Sequence, residues 1–120
     1  NAGFRRKDTL VGSLIKGVVL VTEGIMDLMK AWQFGYKNSC AFLGWKASEY
    51  HIHKLQRVTD TLIVALDNTP TGREGLKHLQ QYFRCVWFRF PREVKDLGEM
   101  DRFTFNRAIR RTLKVVRNGE

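Results

Sequence analysis

Cysteine is scarce in this chain of 120 residues, which contains only Cys40 and Cys85. Each cysteine lies inside an apolar run and far from the other, so neither a Cys-x-x-Cys zinc pair nor a disulfide framework is indicated. Long hydrophobic runs are absent too, since none approaches the roughly 18 residues that would predict a membrane span. No secretory leader precedes the first predicted strand. We therefore expect a cytoplasmic protein without a membrane partner.

Acidic residues are few relative to basic ones, because 12 Asp and Glu stand against 21 Lys and Arg and give a formal net charge of +9. A domain this basic favours a polyanionic partner, and nucleic acid is the one we expect. The length fits a single domain, large enough to bury a core without disulfides or a structural metal.

Short β-branched runs alternate with longer amphipathic segments after residue 17. Helices are predicted from about 25 to 34, from 48 to 57, from Thr71 onward and from Phe103 onward. Thr71 and Glu74 have the spacing of a capping box at the start of the third helix. The predicted strands are Val18–Val21, Ser39–Leu43, Thr61–Leu66 and Cys85–Phe90.

This alternation predicts an α/β fold with a mostly parallel, four-stranded sheet flanked by helices, because parallel neighbours need long right-handed crossovers. We divide the chain into a lead-in arm at residues 1–17, a core at 18–100, and a basic amphipathic helix at 101–120 that packs on the core. His51 and His53 have no further ligand nearby in the sequence, so we expect solvated or partly packed histidines there.

Acidic side chains follow three of the four predicted strands. Glu23 comes directly after strand one, Asp67 directly after strand three, and Asp96 a few residues after strand four. Asp27 lies one helical turn beyond Glu23 on the same face. In an open parallel sheet the ligand crevice lies beyond the carboxyl ends of the strands, so the four acids are placed to converge there.

Crowded carboxylates repel one another unless a cation neutralises them, and hard oxygen ligands suit Mg²⁺ or Mn²⁺. An acid that does not bind the metal is available to move protons. Each acid also has a simpler interpretation. Asp67 suits a turn and Asp96 a solvated loop. Glu23 and Asp27 suit the positive end of a helix.

Three basic residues are predicted to bind nucleic acid or substrate phosphate at the same sheet edge. Arg73 lies at the start of helix three, near the acid of strand three, and Lys95 directly precedes Asp96. Lys46 follows Trp45 on the loop after strand two, where the tryptophan either stacks on a base or packs against the core.

The last predicted helix carries a basic stripe opposite its apolar face, formed by Arg107, Arg110, Arg111 and Lys114. A stripe of this kind suits contact with a phosphate backbone, an ordinary solvated surface, or docking to the rest of a longer protein. The sequence leaves these three interpretations open.

Three segments together resemble the Toprim domain that topoisomerases and primases share, most closely its bacterial DnaG-type and phage primase versions. They are VVLVTEGIMDLMKAWQFGYKNSCAFLG, TLIVALDNTPTGREGL and VKDLGEM, which span roughly residues 18–100. The shared elements are Glu-Gly-x-x-Asp after strand one, Leu-Gly after strand two, Asp-x-x-x-x-Gly-Arg after strand three and Lys-Asp after strand four. Their order and spacing carry the resemblance.

The resemblance implies a Rossmann-like Toprim fold, a magnesium-dependent site and phosphoryl chemistry on nucleic acid. By position in the family pattern, Glu23 is then the general acid or base of the reaction. Asp27, Asp67 and Asp96 match further acidic positions, and we expect them to hold the metal.

The chain departs from the family pattern at two places. Thr69 stands where the family has a second aspartate after strand three, and Leu97-Gly98 replaces a Pro-Asp pair after Lys95-Asp96. A hydroxyl is a weaker magnesium ligand than a carboxylate, so a second metal site is expected to be weak or absent.

The expected function is nucleotidyl transfer by a primase-like replication protein, acting on a DNA template, an RNA primer or nucleotides. Other domains of a longer primase, or a helicase, are the protein partners that this function implies. One alternative is strand cleavage by a Toprim nuclease or a topoisomerase-like enzyme. Another is a degenerate, non-catalytic module for nucleic-acid binding or scaffolding, which Thr69 and Gly98 favour.

Overall fold

The computed structural model describes residues 9–119, and five strands and four helices follow one another in that part of the chain. The strands are β1 (Val11–Ser13), β2 (Val19–Thr22), β3 (Ser39–Ala41), β4 (Thr61–Ala65) and β5 (Arg84–Trp87). The helices are α1 (Ile25–Gln33), α2 (Glu49–Gln56), α3 (Pro70–Leu79) and α4 (Arg102–Asn118), and a 3-10 turn covers Leu97–Glu99.

The strands form one sheet in the order β1-β3-β2-β4-β5. β2 pairs in parallel with both β3 and β4, and β5 pairs in parallel with β4. The predicted α/β fold with a mostly parallel sheet is therefore confirmed. The crossovers from β2 to β3 and from β4 to β5 lead in opposite directions along the sheet, which places the topological switch point between β2 and β4.

The sheet has five strands where the sequence predicted four. Residues 11–13, assigned from the sequence to a lead-in arm, form β1 and pair antiparallel with β3. The Val-Gly-Ser sequence of β1 has no alternating apolar pattern, so its pairing with β3 alone defines it as a strand. A Cβ on Gly12 would lie 2.3 Å from the carbonyl oxygen of Ser39, so only glycine fits at this position of β1. Residues 1–8 of the predicted arm lie outside the described residues.

Two apolar cores lie on opposite faces of the sheet, because successive strand side chains alternate between faces. Val19 and Val21 face the core that continues into α2 and α3, whereas Leu20 faces the core that continues into α1 and α4. α4 contributes Phe105 and Ile109 to the second core and leaves its arginines exposed. No helix within residues 9–119 is long and apolar enough to cross a membrane.

The start of α3 differs from the prediction, because Thr71 and Glu74 do not form a capping box. Thr69 is the N-cap, and its Oγ1 accepts a hydrogen bond from the backbone N–H of Gly72 at 3.2 Å. Pro70 takes the first helical position, where its fixed φ suits the helix and its missing N–H leaves no bond unmade. The helix therefore begins directly after the loop that follows β4.

His51 is fully buried, in contrast to the predicted solvated or partly packed histidine. Only 1% of its surface is exposed, and its ring stacks on Phe42 with centroids 4.9 Å apart. Its Nδ1 accepts a hydrogen bond from the backbone N–H of Ser48 at 3.0 Å, as part of the N-terminal cap of α2. His53 is exposed.

Two glycines let α3 approach the loops at the carboxyl edge of the sheet. A Cβ on Gly72 would lie 1.8 Å from the carbonyl oxygen of Asp67, and one on Gly75 would lie 2.2 Å from the carbonyl oxygen of Trp45. The loops after β4 and β3 thus both rest on the backbone of α3. This contact fixes two of the loops that border the predicted crevice.

We expect Gly72→Ala to lower the free energy of unfolding by about 1 to 3 kcal/mol, because the added Cβ would collide with backbone. This loss should outweigh the helix-propensity gain of alanine, which is roughly 0.5 to 1 kcal/mol. Urea denaturation measures the difference. Gly44→Ala is the matched control, since a Cβ there would have nothing within 4 Å. A Gly72→Ala protein as stable as the wild type would contradict the close approach.

Candidate acidic site at the carboxyl edge of the sheet

Two acids lie side by side where β2 and β4 end, at the switch point of the sheet. The strands pair in parallel with Thr22 opposite Ala65, so Glu23 and Asp67 leave the sheet at nearly the same level. The backbone N–H of Asp67 donates a hydrogen bond to Oε1 of Glu23 at 3.4 Å. Both acids are half-buried. Ligands of open α/β sheets bind at this point.

Asp27 lies in the first turn of α1, and only 8% of its surface is exposed. Its Oδ1 accepts a hydrogen bond from the backbone N–H of Gly98 at 2.9 Å. A Cβ on Gly98 would lie 3.2 Å from Oδ1 of Asp27 and 3.1 Å from Oδ1 of Asp96. Gly98 therefore lies between these two carboxylates, and its missing side chain leaves them room.

Asp96 caps the 3-10 turn that follows β5. Its Oδ1 accepts a hydrogen bond from the backbone N–H of Glu99 at 3.1 Å. The side chain of Glu99 makes a second bond within the same loop, since its Oε1 accepts a hydrogen bond from the backbone N–H of Lys95 at 2.8 Å. These bonds close the loop on itself, so the carboxylate of Glu99 is used within the loop.

Asn68 joins the loop after β4 to the loop after β5. Its backbone N–H donates to the carbonyl oxygen of Lys95 at 2.5 Å, and its Nδ2 donates to that of Val94 at 3.2 Å. Its Oδ1 accepts a hydrogen bond from Nη2 of Arg73 at 3.1 Å. Asn68 therefore ties together two loops that carry acids.

The acids act on one another electrostatically. Burial raises the pKa of Glu23, and the negative charges of Asp67 and Asp96 raise it further, while the hydrogen bond from Asp67 opposes them. Burial also raises the pKa of Asp67, and the charge of Asp96 adds to the rise. Carboxylates influence one another in this way when they share one region of low dielectric. Glu23, Asp67 and Asp96 thus lie close enough at the carboxyl edge of the sheet to act on one another.

Asp27 is the most strongly perturbed of these acids. Burial raises its pKa to about 6, against the hydrogen bond from Gly98, and the charges of Asp96 and Asp67 add to the rise. Within residues 9–119 no lysine or arginine forms a salt bridge with Glu23, Asp27 or Asp67. The crevice is therefore a region of negative charge that the described protein does not neutralise.

The donor set suits a hard cation without forming a closed cage. Within the described residues no group of three or more His, Cys, Asp or Glu side chains lies close enough to hold a metal ion on its own. Mg²⁺ usually binds one or two protein carboxylates and keeps water or substrate phosphates as its other ligands. Carboxylates that border one crevice meet this requirement, so the residues fit an open magnesium site.

The three predicted phosphate-binding residues differ in how they are connected to the acids. Lys95 is exposed on the loop that precedes Asp96. Arg73 reaches that region through its hydrogen bond to Asn68, and its guanidinium also stacks on the ring of Trp87, 4.5 Å from the centroid. Lys46 is exposed on the loop after β3, and it makes no hydrogen bond or ion pair with the acids in residues 9–119.

The two departures from the family pattern have structural roles that the sequence did not indicate. Thr69 caps α3, and the N–H of Gly98 binds Asp27. The linking role of Asn68 was also missed. The one available signal was that Asn68 and Gly98 each follow a predicted site acid within two residues.

By its topology the chain is a Rossmann-like α/β domain, with acidic side chains at the switch point of its sheet. The Toprim-like family matches residues 20–101, and the chain belongs to this family. The resemblance inferred from the sequence is confirmed.

Curated relatives of the chain are bacterial DNA primases. The DNA primase of Rickettsia typhi is 34% identical over 76 residues, which cover 58% of this chain and 13% of the primase. The DNA primase of Pseudomonas putida is 36% identical over 57 residues, which cover 48% of this chain and 9% of the primase. The chain thus matches only a small part of the length of these relatives.

Solved structures with the same fold are also primases. The DnaG catalytic core superimposes with a TM-score of 0.75 at 22% identity, over 95% of this chain and 41% of that one. A DNA primase domain from Pseudomonas aeruginosa gives 0.70 at 25% identity, over 92% and 39%. The primase fragment of the bacteriophage T7 primase-helicase gives 0.73 at 17% identity, over 92% and 51%.

We expect Asp27→Asn to stabilise the metal-free protein at neutral pH by on the order of 1 to 2 kcal/mol. The folded pKa of about 6 exceeds the ordinary value of 3.8. The free energy of unfolding of the wild type should therefore fall as the pH rises from 3.8 to about 6. Above that interval the full cost of the ionised, buried Asp27 is present. Asparagine removes the charge and keeps an oxygen to accept from Gly98.

Urea denaturation between pH 3 and pH 7.5, in EDTA, measures this effect, because that range includes both the ordinary pKa of 3.8 and the raised pKa of about 6 of Asp27. Glu74→Gln, at an exposed acid of α3, is the matched control and should leave the pH dependence unchanged. The same slope of stability against pH in the wild type and Asp27→Asn would show that Asp27 carries no such penalty.

Proposed function

We propose that this chain is the Toprim domain of a primase-like replication protein and performs magnesium-dependent nucleotidyl transfer on nucleic acid. One observation carries the proposal: acids that follow β2, β4 and β5, and one on α1, lie together at the carboxyl edge of the sheet, where burial and neighbouring carboxylates raise the pKa of Glu23, Asp27 and Asp67. The primase relatives favour this reaction over strand cleavage.

In the proposed reaction, Asp67 and Asp96, with Asp27, would hold Mg²⁺ or Mn²⁺. Asp67 and Asp96 lie on the two loops that Asn68 joins, which supports a shared cation. The bound ion would neutralise substrate phosphates and stabilise the charge that develops during transfer. Asp27, the most buried acid of the set, is the one whose ionisation gains most from a nearby cation.

Glu23 is proposed as the catalytic residue that transfers a proton. Its pKa is raised by burial and by neighbouring acids, which brings its proton affinity toward the range useful at neutral pH. It also lies directly at the end of β2, next to Asp67. A group in that place would border both the proposed metal ligands and the phosphate of a substrate.

Lys95, Arg73 and Lys46 are proposed to contact nucleic acid or substrate phosphate. Lys95 precedes a proposed metal ligand on an exposed loop, and Arg73 is held beside Asn68 with other guanidinium N–H groups available. Arginine and lysine bind phosphate oxygens by charge-assisted hydrogen bonds. Lys46 would act from the loop after β3, the strand that flanks β2 on the side away from β4.

Structural relatives indicate the partners to test. The DnaG primase catalytic domain has been solved bound to single-stranded DNA, at a TM-score of 0.72 and 23% identity. Primase domains of T7 gp4 have been solved bound to an RNA/DNA hybrid and dTTP. A DNA template and an RNA primer are therefore the proposed nucleic-acid partners here, with further primase domains or a helicase as proposed protein partners.

A non-catalytic binding or scaffold module is the second candidate. Thr69 and Gly98 replace family acids, and in this chain they serve as a helix cap and as a hydrogen-bond donor. A site with fewer carboxylates binds a second metal ion less well. On this alternative, the crevice binds nucleic acid or a partner without chemistry.

We expect the complete polypeptide that carries this domain to incorporate ribonucleotides on a single-stranded DNA template when Mg²⁺ is present. Glu23→Gln should lower the rate by about 10²- to 10⁴-fold, the usual contribution of a general acid or base. Glu49→Gln, at an exposed acid of α2, is the matched control. Equal rates of wild type and Glu23→Gln would remove Glu23 from the mechanism, and strand nicking without synthesis would favour a nuclease.

A further inference from the structure

A basic groove lies along the β5 edge of the sheet, between β5 and α4. Its first cavity has a volume of about 440 Å³ and lies between the segment that follows β5 and the first half of α4. Four arginines line this cavity, namely Arg89, Arg92, Arg107 and Arg111, and no acidic side chain of residues 9–119 does.

Two further cavities extend the groove along α4 and β5. A cavity of about 300 Å³ shares Arg89 and Arg111 with the first and adds Lys114. A cavity of about 580 Å³ shares Arg89 and adds Arg84 and Arg73. Neither has an acid of the described chain in its lining. We define the basic groove as these three connected cavities with their cations.

The cations of the groove are not neutralised within the described protein. In residues 9–119 none of them forms an ion pair with a carboxylate, although Arg84 donates one hydrogen bond to the carbonyl oxygen of Val116 at 2.8 Å. Like charges gathered in one groove repel one another, and a bound polyanion relieves this repulsion. The groove is therefore complementary to a chain of phosphates.

One exposed aromatic ring, Phe103, and two half-buried rings, Phe90 and Trp87, accompany the cations. Phe103, with 72% of its surface exposed, lines the first cavity together with Phe90. Trp87 lines the third cavity beneath the guanidinium of Arg73. Cations with interleaved aromatic faces are typical of single-strand binding, because bases stack on the rings while phosphates contact the cations. An acidic peptide would use the charges and leave an exposed Phe103 without a role.

The groove is fixed at one end and comes close to the loop after β4 at the other. Beside the first cavity, the backbone N–H of Arg89 donates to Oγ1 of Thr112 at 2.9 Å, which fastens the segment after β5 to α4. At the opposite end, Arg73 donates to Oδ1 of Asn68, the residue next to Asp67. The groove thus ends beside a loop that carries a site acid.

We propose that the basic groove binds the backbone of a single-stranded nucleic acid, with Phe103 stacking on a base. Binding itself requires only the groove. That the bound strand leads into the acid crevice rests on the proposed function.

Fluorescence anisotropy of labelled oligo(dT), in EDTA and without nucleotides, tests the groove independently of the metal site and of Glu23. We expect Arg107→Glu combined with Arg111→Glu to weaken binding at least about tenfold and to reduce the slope of log affinity against log salt by roughly 1.4. Arg110→Glu combined with Arg117→Glu is the matched control, because both are exposed on α4 and line none of the three cavities.

The control double variant should weaken oligo(dT) binding less than the Arg107→Glu and Arg111→Glu double variant does. It should also keep most of the wild-type dependence of log affinity on log salt. Equal losses in both pairs, or no binding by the wild type, would overturn the proposal. Phe103→Ala should weaken oligo(dT) binding about fivefold or more through lost stacking. Poly-glutamate that competes as well as oligo(dT), together with no effect of Phe103→Ala, would assign the groove to an acidic protein partner instead.

Discussion

Repulsion among carboxylates at the carboxyl edge of the sheet is the constraint on which this account depends. Glu23 and Asp67 end neighbouring parallel strands, and Asp27 and Asp96 flank Gly98 beside them. Burial and like charge make each further ionisation harder, as the raised pKa values of Glu23, Asp27 and Asp67 record. A fold gains nothing in stability from such a cluster in the absence of a cation. The proposed binding of a hard metal ion and of phosphate would offset this repulsion.

The surrounding backbone holds these acids in place against their repulsion. Gly72 lets α3 rest directly on the carbonyl of Asp67, so the loop after β4 has a rigid support. Asn68 bonds that loop to the next one, and Gly98 supplies an N–H to Asp27. Small residues and one amide therefore do the positioning, and the carboxylates themselves stay available to a ligand. The basic groove reaches the same region through Arg73, which gives the domain oppositely charged surfaces side by side.

Sequence reasoning could predict the parallel core and the placement of the acids because both follow from local patterns. Strands such as Thr61–Ala65 are buried along their whole length and apolar after the first residue, and parallel strands bring whatever follows them to one edge. β1 was missed because three residues without periodicity become a strand only through pairing with β3. The cap at Thr69 was missed because Thr71 and Glu74 offered a competing local signal, and Pro70 decided between them. The roles of Asn68 and Gly98 depend on contacts 26 and 71 residues apart, which no local pattern reports.

Calorimetric titration of Mg²⁺ into the metal-free protein is the most direct test of the central claim, that these acids form one cation site. We expect saturable binding at millimolar concentrations or below, with protons released near pH 6, because burial raises the pKa of Asp27 to about 6. Asp67→Ala should weaken this binding, whereas Glu74→Ala, which removes an exposed acid of α3, should leave it unchanged. Absence of saturable binding, or binding indifferent to Asp67→Ala, would contradict the account.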